Sequence, residues 1–78
     1  MNPIKELRQS LKITQADLAE SVGVSAPMAA HWELGTRRIS DKHFVAIADA
    51  LDINVDTLGR RMEAWRLSVA LTKIRNGE

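Results

Sequence analysis

Residues 13–35 carry two glycine stops, Gly23 and Gly35, each closing a short apolar stripe that opens on a hydroxyl cap. No other stretch constrains the fold as tightly. Thr14 precedes Gln15-Ala16-Asp17, and an acid three residues after a threonine forms a capping box, with Asp in place of the usual Glu. Leu18, Ala19 and Val22 repeat at helical spacing as far as Gly23, where a left-handed residue ends the run. Ser25 caps the next segment. Ala26 and Pro27 occupy its first turn, whose N–H groups lack partners anyway, and Ala29 and Trp32 form its stripe. The pattern predicts helices over about 15–22 and 26–33. Helices this short, joined by a tight turn, must bury their apolar sides on each other at a steep angle. The opposite face of the second helix is then left outward. Ala19 is small where that crossing is closest.

The flanking sequence is helical as well. Asn2-Pro3 opens a helix over about 3–11, with Ile4, Leu7 and Leu11 at spacings of three and four inside it. A loop over 35–40 carries Thr36, Arg37 and Arg38 and is anchored by Ile39. Ser40 caps a helix over about 41–51, with Phe44, Ile47, Ala48 and Leu51 as its apolar face. Ile53 turns inward in the next connection, and Asn54 or Asp56 caps a last helical region over about 55–75. Leu58, Met62, Trp65 and Val69 form one stripe there, and Leu67, Leu71 and Ile74 a second, partly overlapping one. Gly59 weakens this region early and leaves it open to a break into a one-turn piece and a longer helix. Asn76, Gly77 and Glu78 are expected to fray. No strand signal, repeat or linker interrupts the pattern, so the fold class is all-α.

Composition narrows the function. A domain of 78 residues buries only about 60% of its surface and has no room for a deep substrate cavity beside its core. With no cysteine there is no disulfide, thiolate zinc site or cysteine nucleophile. His31 and His43 lack neighbouring acids at ligand spacing, so no metal site is expected. His43, in the first turn of its helix, is expected to be solvated. No Ser–His–Asp arrangement, HExxH or glycine-rich phosphate loop is present, and no catalytic residue, cofactor or small-molecule ligand is implied. There is no 18-residue apolar run and no apolar block after Met1, which predicts a soluble cytoplasmic protein without a membrane partner. The net charge of +1 does not by itself announce nucleic-acid binding. Yet Arg37, Arg38 and Lys42 lie together, as do Arg60, Arg61 and Arg66, with Asp49, Asp52 and Asp56 between the groups. A local basic face is compatible with near-neutrality.

Taken together, Leu7-Arg8, Ile13-Thr14-Gln15-Ala16-Asp17-Leu18-Ala19, Val22-Gly23-Val24-Ser25 and Trp32-Glu33-Leu34-Gly35-Thr36-Arg37-Arg38 resemble the XRE family, the Cro/lambda-repressor type of helix-turn-helix. Phe44, Ile47, Ala48, Leu51, Ile53 and Leu58 are similar to its following helices. The resemblance covers roughly residues 4–58. It implies a five-helix lambda-repressor-like domain over 1–58; the apolar stripes of residues 59–78 make them a helical extension that completes the core and dimerises. The helix over 26–33 becomes a recognition helix for the major groove of double-stranded DNA. Gln15 would hold a backbone phosphate. Ser25, Ala26, Pro27, Met28 and His31 would face bases, with Ala30 at the edge, and Thr36, Arg37 and Arg38 would meet phosphates. Arg8 and Glu33 match an internal salt bridge of the family. The expected protein is a sequence-specific repressor, most similar to a phage or prophage Cro, bound to a palindromic operator as a homodimer in a bacterial cytoplasm, at the nucleoid. Trp65, Leu67, Leu71 and Ile74 are the candidate dimerisation residues. Ala26-Pro27-Met28 departs from the polar first turn common in the family, and such side chains make no bidentate bonds to bases but pack on thymine methyls. The sequence does not separate a restriction–modification controller or an antitoxin that represses its own operon from such a repressor, and the apolar Ala26-Pro27-Met28 surface with the low net charge leaves open an interaction module without DNA readout.

Overall fold

Every helix begins on a side-chain cap. The computed structural model describes residues 1–75; the fraying expected of Asn76, Gly77 and Glu78 lies outside them. Asn2 Oδ1 accepts the Ile4 N–H at 2.8 Å and starts α1 (Pro3–Ser10). Thr14 Oγ1 accepts from Asp17 at 3.0 Å, and the Asp17 carboxylate accepts from Thr14 N–H, a complete capping box for α2 (Gln15–Val22). Ser25 caps α3 (Ala26–Leu34) and Ser40 caps α4 (Asp41–Ala50). Asn54, rather than Asp56, caps α5 (Val55–Arg75), its Oδ1 accepting from Asp56 N–H at 2.8 Å. Among the described residues there is no strand.

Gly23 and Gly35 end α2 and α3 in the left-handed region, at φ 84° and 76°. The ends of α1 and α4 use the same conformation without glycine, at Lys12 (φ 58°) and Asp52 (φ 53°). Each costs about 1 kcal/mol of backbone strain. In return, Ile13 N–H reaches the Arg8 carbonyl and Ile53 N–H the Ala48 carbonyl, both at 3.0 Å, so both helices are closed by backbone bonds.

Trp32 and Leu18 lie at the centre of a core that also holds Ile4, Ala19, Ala29, Ile47, Ala48, Leu51 and Leu58. Alanines on α2, α3 and α4 let these short helices approach closely. α2 packs on α3 and α4, α1 on α3 and α5, and α4 on α5. His43 differs from its solvated expectation: it is half-buried, its ring centroid lies 5.4 Å from that of Trp32, and its Nδ1 lies 3.0 Å from Ser40 Oγ.

α5 runs unbroken through Gly59. Leu58 is buried beside it and Met62 packs one turn on, so tertiary contact overrides the weak propensity. A Cβ at Gly59 would stand 3.9 Å from the Phe44 ring, ordinary contact distance. At 1.5 Å per residue the 21 residues of α5 extend about 31 Å, most of the longest dimension of 39 Å. From Arg66 to Arg75 every residue is exposed. No helix among the described residues is long and apolar enough to cross a membrane.

The two glycine stops differ in surroundings, and this is measurable. A Cβ at Gly23 meets nothing within 4 Å, whereas one at Gly35 falls 2.6 Å from the Trp65 indole. Gly23→Ala should therefore lose about 1–2 kcal/mol from backbone strain alone. Gly35→Ala should lose distinctly more, because Trp65 must move. Urea unfolding followed by circular dichroism checks the order, and equal losses would mean that Trp65 does not rest on this turn in solution.

Candidate nucleic-acid interface

The interface is organised around an ion pair inside the protein. Arg8 Nε donates to Glu33 Oε2 at 2.7 Å and Arg8 Nη2 to Glu33 Oε1 at 3.0 Å, the bidentate geometry that suits guanidinium and carboxylate. The Glu33 side chain is only 3% exposed and that of Arg8 12%. Arg8 Nη1 also donates to the Ile13 carbonyl at 2.9 Å, and Gln15 Nε2 donates to Glu33 Oε1 at 3.3 Å. One carboxylate thus ties α1, the α1–α2 turn and α2 to the end of α3. Hydrogen bonding to Glu33 holds the Arg8 guanidinium above its usual pKa, with the carboxylate's charge adding to the effect. The stability this shift contributes is present below the ordinary arginine value and is lost only as pH rises through the raised one. A second tie comes from Asn2, which is buried and donates from Nδ2 to the Trp32 carbonyl at 3.1 Å. Sequence reading gives Asn2 only a capping role, since nothing local signals a partner thirty residues away.

With α3 held in this way, Ala29 and Trp32 face inward, and Ser25, Ala26, Pro27 and His31 are exposed. Met28 is half-buried against the core, and Ala30 is half-buried too, so neither is as outward as its exposed neighbours. Ser25 Oγ accepts from Met28 N–H, which leaves its hydroxyl proton free to donate. His31 Nδ1 lies 2.9 Å from Thr36 Oγ1, and the Thr36 hydroxyl also reaches the His31 carbonyl at 3.3 Å. The Gln15 side chain is half-buried and engaged by Glu33, so what α2 has left at this end is the N–H groups of Gln15 and Ala16, which have no intrahelical acceptor, that of Asp17 being taken by the Thr14 cap. Arg37 and Arg38 are exposed on the loop after α3. Among the described residues no group of acids and histidines is arranged to hold a metal.

The four candidate dimerisation residues do not share a face. Leu67, Leu71 and Ile74 are exposed together. Leu67 follows Leu58 by nine residues, which at 3.6 per turn is half a turn out of phase with the buried side. Trp65 lies on that buried side, half-buried over Gly35. Leu34, which sequence reading leaves without a role, is 70% exposed beside it.

Two short helices crossed through alanines, with a glycine turn between them and the second helix bare on its outer side, define a helix-turn-helix. The Helix-turn-helix family model matches residues 4–58. The chain is 33% identical over 55 residues to the uncharacterised HTH-type transcriptional regulator YqaE of Bacillus subtilis (strain 168), a match covering 70% of this chain and 47% of that protein. The chain thus spans about half the length of this curated relative. In structure it is similar to the clp gene regulator ClgR of Corynebacterium glutamicum, with a TM-score of 0.78 and 20% identity, over 94% of this chain and 79% of that one. The chain belongs to the XRE family of helix-turn-helix proteins. This is a family of DNA-binding transcription regulators, not of enzymes.

Arg8→Met should cost about 3–5 kcal/mol, because it leaves a buried carboxylate unpaired. The double variant Arg8→Met/Glu33→Leu should cost much less than the sum of the two single changes. Denaturant unfolding of the four proteins closes the cycle, and additive losses would show that the pair does not act as a unit.

Proposed function

We propose that this chain is a sequence-specific transcriptional repressor that occupies a palindromic operator as a homodimer, with α3 in the major groove. The observation that carries this reading is the division of α3 into two sides. Ala29 and Trp32 lock one to the core, while Ser25, Ala26, Pro27 and His31 stand free on the other, with exposed Arg37 and Arg38 just beyond. The family and the regulator name of the Bacillus relative support it.

The chemistry of that side sets the mode of readout. Ala26 and Pro27 offer apolar contact to thymine methyls, Ser25 a hydroxyl donor, and His31 its outer ring nitrogen. If Nδ1 carries the proton toward Thr36, Nε2 accepts from adenine N6 or cytosine N4; in the other tautomer it donates to guanine O6 or N7. So few directional groups make each half-site weak, and groove width and deformability supply the rest of the discrimination. Two half-sites about 34 Å apart offset that weakness. Ala64, Leu67, Leu71 and Ile74 recur at three, four and three residues along the exposed side of α5, the spacing of a two-helix seam. Arg37 and Arg38, with the first turn of α2, hold phosphates and fix the register. The bare apolar first turn of α3 also fits a module that binds another protein instead.

Selection of the purified protein against a random duplex library at moderate salt tests the reading. An enriched palindrome is the expected outcome, and no enrichment even at low salt would overturn it in favour of the protein-binding module. On the selected site, Arg38→Ala should weaken binding alike on all sequences and lower the slope of log K against log salt by about one. An unchanged slope removes Arg38 from the phosphate contacts.

A further inference from the structure

A cleft of about 490 Å³ opens between the loop after α3 and the middle of α5, a volume within the range of small-molecule sites. Its floor is Trp32, Ile39, Phe44, Met62 and Trp65, so all three aromatic residues of the chain meet in one place. Its rim is Arg37, Arg38 and Arg66. Among the described residues no acidic side chain lines it. Arg66 is already paired with Glu63 on its own helix, whereas Arg37 and Arg38 have no ion-pair partner among the described residues. Trp32 contributes only an edge to the floor, since it is almost fully buried, and Leu58 behind it is buried completely.

An apolar, aromatic floor with unpaired cations at its mouth selects by chemistry. A neutral hydrocarbon uses only the floor, and an inorganic anion only the rim. A small aromatic carboxylate uses both, with its ring against the Trp65 indole and the Phe44 ring and its charge on the guanidinium forks. We propose that this cleft is a binding site for small aromatic carboxylates, held by Trp65, Phe44 and Met62 and selected by Arg37 and Arg38. Its two unpaired rim cations, Arg37 and Arg38, are the ones assigned above to DNA phosphates. A bound carboxylate therefore competes with DNA for them, a consequence that rests on the DNA-binding reading, whereas ligand binding itself does not.

The test is titration of the full ¹⁵N-labelled chain with 2-naphthoate and, separately, with uncharged 2-naphthamide, followed by heteronuclear NMR. The expected result is saturable shifts of the Trp65 indole N–H and of the Gly35, Thr36 and Ile39 amides. 2-Naphthamide should bind about ten-fold more weakly or worse. The Arg37→Gln/Arg38→Gln variant changes only exposed side chains and should keep the native spectrum while losing that preference. No saturable shift at millimolar ligand, or equal binding of acid and amide, overturns the proposal. So do shifts at these residues that follow protein concentration instead of ligand, because a second copy of the chain then fills the cleft. In a parallel titration, 2-naphthoate should displace the selected duplex from the native protein. Binding at the cleft without displacement overturns the competition alone. Failure to bind any duplex sinks the repressor reading while the NMR titration still decides the site.

Discussion

A single buried carboxylate, Glu33, governs the geometry of this small protein. It sits near the end of α3, is gripped from two directions by the Arg8 guanidinium, and takes a third bond from Gln15. Because the same guanidinium donates to the Ile13 carbonyl, the pair also fixes the turn between α1 and α2. Taking two charges out of water is costly, and apolar groups of equal volume in place of such a pair are often neutral or stabilising. What the ion pair supplies instead is direction: planar, bidentate bonds permit one orientation of α3 relative to α1 and α2, where hydrophobic contact permits several. A helix whose outer side must present a few side chains at fixed positions depends on that restriction.

Much of the architecture is legible in the sequence because it is written in local chemistry. Thr14 with Asp17, Ser25, Ser40 and Asn2 are caps whose partners lie within three residues, and Gly23 and Gly35 end helices where only positive φ fits. The stops at Lys12 and Asp52 are far less visible, since neither residue type advertises the left-handed conformation it adopts. Gly59 shows the opposite failure: its local weakness is real, but Leu58 and Met62 hold the helix across it. The outward side of α3 is half legible. Helical phase distinguishes Ala29 and Trp32 from Ala26, Pro27 and His31, but the partial burial of Met28 and the engagement of Gln15 with Glu33 depend on neighbours brought in by the fold. The aromatic cleft is invisible in one dimension, because Trp32, Phe44 and Trp65 come from three different helices.

α5 serves two purposes on two sides. Its first turns close the core with Leu58 and Met62, and Trp65 carries that side on to the Gly35 turn. Beyond Arg66 every residue of the helix is exposed, and Leu67, Leu71 and Ile74 lie on the side away from the core. No requirement of the five-helix core explains leucine at 67 and 71 or isoleucine at 74. Their periodicity supports the pairing of two such helices, so α5 is where an intramolecular core gives way to the proposed contact between molecules.

The bond from Asn2 to the Trp32 carbonyl also bears on when contacts become available during synthesis. Asn2 and Ile4 emerge from the ribosome long before the residues that bury them. Their acceptor appears only with α3, and α1 also packs on α5, which follows later still. Until then this segment can form at most a marginal, isolated turn of helix with an exposed isoleucine. α2 and α3, adjacent in sequence, can find each other early, because the loop between them is short. Contacts between α2 and α3 are therefore available to the growing chain before those that bury Asn2 and Ile4, so the residues made first wait longest for their partners.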